Sequence, residues 1–80
     1  MHYETLSKGQ RELCVRSGLI RRAAKRCGMT RANVSKTFSG DIKEPNPKVV
    51  RALNQEIAII IREQQRQLDS FSDLGNVVGL

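Results

Sequence analysis

Five side chains within six positions, Arg31, Ala32, Asn33, Ser35 and Lys36, have the types and spacing for recognition chemistry. An arginine offers paired donors to the O6 and N7 acceptors of guanine, a lysine offers a second cationic donor, and an alanine methyl packs on thymine. A serine hydroxyl donates or accepts. Asn33 is close enough to reach a base edge or a phosphate, and spacing leaves that choice open. Around this set stand Arg21, Arg22, Thr30, Ser39 and Lys43, whose groups suit phosphate oxygens. Such contacts fix register on a duplex without reading its sequence.

No comparable set exists for catalysis. His2 is the only histidine and lies beside the N-terminal Met1, and the acids show no clustered pairing. Cys14 and Cys27 have twelve residues between them and no neighbouring ligand, a spacing that fits no zinc pattern. Both fall among apolar helical positions, as buried thiols in a reducing compartment do. The expectation is a protein with no catalytic residue, no metal and no cofactor.

The elements that position the recognition set follow from the stretch Ile20 to Gly40. Ile20, Ala23, Ala24 and Cys27 recur on one helical face, with Arg21, Arg22, Lys25 and Arg26 on the other. Gly28 can take the positive φ that ends this helix, and Thr30 can cap the next. That next helix, expected from Arg31 to Ser39, buries Val34 and Phe38 four residues apart. Two short helices joined by so tight a turn make a helix-turn-helix unit, with Ala24 small at the crossing and Val34 plugging the angle. The outward side of the second helix then carries Arg31, Ala32, Ser35 and Lys36.

Upstream, residues 1–6 read as a short arm whose Leu6 can tuck against the core. A first helix from about Ser7 to Ser17 stops at Gly18, with Leu6, Leu13, Cys14 and Val15 apolar and Lys8, Arg11, Glu12 and Arg16 facing water. Downstream, the segment from Gly40 to Asn46 reads as a loop, and Asn46-Pro47 as a cap followed by a first-turn proline. A helical pattern then persists to about Phe71, before Ser72, Asp73 and Gly75 open a tail. The expected architecture is all-α, one compact helix-turn-helix domain of four main helices. Residues 1–46 form the arm and head, 47–71 a long helix, and 72–80 a flexible tail.

Charge divides the chain at the same place. Residues 1–51 hold twelve Lys/Arg and four Asp/Glu, whereas residues 52–80 hold two Arg and four acids. A basic front with a mildly acidic back points to a polyanionic partner for the front alone. Eighty residues bury only a small core, and chains of this size often gain stability by association. The longest apolar run, Ile57 to Ile61, is far short of the ~20 residues that span a bilayer, and no secretory signal opens the chain. A soluble, cytoplasmic protein with no membrane partner is expected.

Ala23 to Gly40 resembles the helix-turn-helix of lambda-repressor-like and Cro-like proteins, a core shared with the Xre-type and Lac-repressor families. The matching features are Ala24, Gly28, Thr30 and Val34, together with the exit Phe38-Ser39-Gly40. Residues 47–53 resemble the helix that follows in lambda-like repressors, so the likeness covers a little over half the chain. It implies a sequence-specific double-stranded DNA-binding regulator, such as a small phage or prophage repressor. One departure stands out: relatives begin the first helix of the motif with Gln, which anchors a phosphate, and here that position is Ile20. Arg21 or Arg22 would take over the anchoring.

The last helix is longer than a single head needs. Val50, Asn54, Ile57, Ile61, Gln64, Leu68 and Phe71 alternate by four and three residues, a heptad-like seam, with Ile60 beside it. The expectation is a homodimer joined through these eight residues. A twofold pair would present its recognition helices to an inverted repeat with half-sites ~34 Å apart. The competing reading is an antitoxin of the same fold, whose back half covers a toxin while its front binds its own operator. With only Tyr3, Phe38 and Phe71 aromatic, no stacking platform for single strands is expected.

Overall fold

A reciprocal cap starts the first helix. Ser7 Oγ accepts the Gln10 N–H at 3.2 Å, while Gln10 Oε1 accepts the Ser7 N–H at 2.9 Å, satisfying two amides that a helix start leaves without partners. The computed structural model describes the backbone from His2 to Val78 and the side chains from His2 to Gln67. After a 3₁₀ turn at Tyr3–Thr5 come α1 (Lys8–Arg16), α2 (Leu19–Cys27), α3 (Arg31–Ser39) and α4 (Pro47–Val78). The chain is all-helical, with no strand among the described residues.

The joint between α2 and α3 rests on two local devices. Gly28 takes φ +71°, a left-handed conformation that costs an L side chain about 1–2 kcal/mol, and its N–H returns to Ala24 O at 2.9 Å. Thr30 Oγ1 then accepts the Asn33 N–H at 3.2 Å and caps α3. Val34 is fully buried and Phe38 nearly so, and Ala24 lies buried on α2. Gly18 and Gly40 close their turns in the same left-handed region.

Asn46 starts α4 as expected: its Oδ1 accepts the Lys48 N–H at 2.9 Å, ahead of Pro47 in the first turn. Val49, Ala52, Leu53, Glu56, Ile57 and Ile60 form the buried stripe of this helix, three and four residues apart as one helical face requires. The stripe packs mainly on α2, with α1, α3 and the 3₁₀ turn closing round it. Leu19, fully buried, belongs to the same core.

Several expectations are corrected here. Ile57 and Ile60, read as dimer residues, are 0 % and 2 % exposed within the single chain. They serve its own core because α2 supplies a matching apolar face. Val50 and Ile61 also pack partly on that core. Asn54, placed in the same seam, accepts the Tyr3 N–H through Oδ1 at 2.9 Å. Leu6 tucks against the core as expected, and Tyr3 is buried with it, so the 3₁₀ turn is docked on α4.

Arg11, expected in water, donates from Nη2 to Phe38 O at 2.7 Å and from Nη1 to Tyr3 O at 3.3 Å. Its guanidinium lies over the Phe38 ring, 4.1 Å from the centroid. One side chain thus ties α1 to the 3₁₀ turn and to the exit of α3. Val15, by contrast, is 53 % exposed.

The last helix runs to Val78 rather than ending near Phe71. Serine, aspartate and one glycine weaken a helix by about 1 kcal/mol or less each, and no proline blocks it. At 1.5 Å rise per residue its 32 residues make a rod of about 48 Å. Ile60 is the last buried position among the described residues, and Gln64 is half-buried beyond it. The seam positions Leu68 and Phe71 lie outside the described side chains.

Candidate nucleic-acid interface

Helix α3 divides cleanly between an inner and an outer side. Val34, Thr37 and Phe38 are buried, whereas Arg31, Ala32, Ser35, Lys36 and Ser39 are exposed. At about 100° per residue, these five fall on one arc of the helix. Thr37, which periodicity alone passes over, is buried with its hydroxyl donating to Asn33 O at 2.9 Å. That bond satisfies a polar group that would otherwise cost about 1–3 kcal/mol inside a core.

Four of the five recognition residues are thus brought onto one open face; Asn33 stands at its edge, half-buried. Among the phosphate candidates, Arg21, Thr30, Ser39 and Lys43 are all exposed. Arg21, Thr30 and Arg31 share one shallow depression with Lys25, Gly28 and Met29. Lys25 is absent from the sequence-derived set, although it lies one helical turn after Arg21 and so on the same side of α2. Ile20, half-buried, lines a second depression with Arg16, Ser35 and Ser39. An apolar side chain there offers no anchor for a phosphate.

Arg22 is the phosphate candidate that the fold removes. Its Nε lies 2.9 Å from Glu56 Oε2, and its Nη2 3.8 Å from Glu63 Oε1. Arg26 Nε donates to Glu56 Oε1 at 2.9 Å, and Arg26 Nη1 to Gln55 Oε1 at 3.4 Å. Glu56 is only 6 % exposed, a position a carboxylate occupies only when paired. The Arg22 contact is ionic without hydrogen-bond alignment, so Oε2 has no donor of its own. Arg22 faces α4 because it lies 100° round the helix from Arg21. Glu56 thus joins α2 to α4. A sequence signal existed, since Glu56 is a lone acid inside the apolar stripe Ala52-Leu53-Ile57-Ile60.

The reactive groups are otherwise quiet. Cys14 and Cys27 are free, with Cys14 buried. Burial pushes the Cys14 thiol above its usual range against an opposing pull from Arg11. Burial likewise raises the Tyr3 phenol, helped by the Glu4 charge and opposed by Arg11. Among the described residues no group of His, Cys, Asp or Glu is arranged to hold a metal, and no helix is long and apolar enough to cross a membrane.

No family model, curated protein or solved structure matches this chain.

Proposed function

We propose that the chain is a sequence-specific double-stranded DNA-binding transcriptional regulator, acting as a homodimeric repressor on an inverted-repeat operator. The observation that carries this reading is the outer arc of α3. Arg31, Ala32, Ser35 and Lys36 are all exposed on a helix capped by Thr30 and held from behind by Val34 and Phe38. A helix so held fits the major groove, where Arg31 pairs with guanine, Lys36 adds a second donor and Ala32 meets a thymine methyl. Ser35 lies between them and bonds to either kind of edge.

Arg21, Thr30, Ser39 and Lys43 contact the flanking phosphates, with Lys25 beside Arg21. Association runs along the side of α4 that the head covers only in part and continues past Ile60, the last buried position among the described residues. Val50, Ile61 and Gln64, all half-buried in one copy, join the seam that Leu68 and Phe71 continue. Two heads on one duplex occlude a promoter, which suits a compact reader with no effector domain among the described residues.

Selection from random duplex DNA followed by footprinting tests the reading. A palindromic site is expected, and an absence of any enriched sequence overturns it. Sedimentation at micromolar concentration should give twice the chain mass; a stable monomer would remove the twofold arrangement. Co-purification of a second small protein from its native host would move the assignment to the antitoxin alternative.

A further inference from the structure

Asn33 belongs to α3 but lies at the edge of its exposed face. Its Oδ1 is enclosed and has no hydrogen-bond donor, although the residue as a whole is only half-buried. The backbone on both sides is already used: Asn33 N–H donates to Thr30 Oγ1 and Asn33 O accepts from Thr37 Oγ1. What remains toward solvent is the Nδ2 group, a donor with two hydrogens and no acceptor among the described residues.

The helical angle agrees with this. Counting about 100° per residue from Arg31, the exposed positions Arg31, Ser35, Ser39, Ala32 and Lys36 span about 0° to 140°. Asn33 falls at about 200°, on the flank beside buried Thr37. A helix whose outer arc faces the groove floor turns that flank toward a groove wall, where the phosphates are.

We infer that Asn33 is a phosphate-contacting residue that donates from Nδ2 to a backbone oxygen and reads no base. An asparagine recognises adenine by offering an acceptor to N6 and a donor to N7 together. With Oδ1 turned inward, Asn33 has only the donor half of that pair. A phosphate oxygen, which only accepts, matches what is left. The inference rests on the DNA-binding reading and concerns which part of the duplex this residue touches.

The test uses the full chain, the operator obtained by selection, and a panel of duplexes each altered at one base pair. Two variants are compared with the parent. Asn33→Ala deletes the donor; Asn33→Asp replaces it with an anion of the same shape. Asn33→Asp places a carboxylate oxygen where no donor meets it, a cost that opposes the favourable helix start. Thermal midpoints of both variants are therefore measured, and affinity is read only at a temperature where each is fully folded, which separates binding from folding.

The expected result is about a tenfold weaker affinity for Asn33→Ala and a greater loss for Asn33→Asp, in each case uniform across the panel. Tenfold corresponds to about 1.4 kcal/mol. A loss confined to one base pair per half-site overturns the inference in favour of base reading. Unchanged affinity in both variants overturns it as well. If the parent binds no duplex at all, the DNA-binding reading fails first, and the two failures are thereby distinguished.

Discussion

Helix α2 carries two pairs of cations that differ only in direction. Arg21 and Lys25 are exposed beside the α2–α3 turn and make no ion pair among the described residues. Arg22 and Arg26, one position further round, converge on Glu56 of α4. The first pair remains available to a polyanion, while the second is neutralised inside the chain and spent on holding α2 against α4. Basic composition therefore overstates the binding surface, because a charge counts toward a partner only if nothing nearer claims it. The contrast also separates the two halves of the molecule. The α3 side is open and donor-rich, and the α4 side is closed round a carboxylate.

The largest test of that contrast is Glu56→Ala. Removing one partner of a fully enclosed pair costs about 3–5 kcal/mol, but Arg22 and Arg26 keep 31 % and 42 % side-chain exposure and can return to water. A loss of about 2–3 kcal/mol is expected, lowering the thermal midpoint by roughly 10 °C or more in a chain of this size. A midpoint within a degree or two of the parent would mean that the α4 side is not held by Glu56.

Next in size is Arg31→Ala, on the open side. It should leave stability nearly unchanged and relax preference at one position per half-site, by about 1–3 kcal/mol in competition against single-base variants. Uniform weakening instead would move Arg31 from the base readers to the phosphate contacts.

Thr30→Ala sits between the two sides, since it loosens the start of α3 without touching the core. Loss of the cap should cost about 1 kcal/mol in denaturant unfolding. No change in the unfolding midpoint would show that α3 is fixed by Val34 and Phe38 alone.

The smallest effect contrasts the neighbours on α2 directly. Arg21→Ala should flatten the salt dependence of DNA affinity by about one unit of slope, and Arg22→Ala should leave that slope alone. Equal flattening by both would erase the distinction between free and clamped arginines.

Much of the head was legible in the chain. Gly28 with Thr30 and Asn46 with Pro47 announce helix ends by local chemistry, and each acts within a few residues of itself. The bounds of α3 and its buried pair Val34 and Phe38 follow from the same short-range rules. The exposed arc of α3 was legible too, because burying one face of a short helix fixes the other.

The partners of long side chains were not. Arg11 reads as a solvated cation, yet it reaches Phe38 O and Tyr3 O, 27 and 8 residues away. Asn54 reads as a polar seam position, yet it holds Tyr3 from 51 residues away. Ile57 and Ile60 read as surface for a second copy because the apolar stripe of α4 looks too wide for one neighbour. It is filled by α2, α1, α3 and the docked 3₁₀ turn together.

The sequence by itself determined where the helices begin and which face of α3 stays open. Periodicity and capping are local, and the chain states them directly. Only the tertiary structure decided which arginines of α2 stay free, where the first residues dock, and which way the Asn33 amide turns. Those outcomes depend on groups tens of residues apart competing for the same polar atoms, and no window of sequence records who wins.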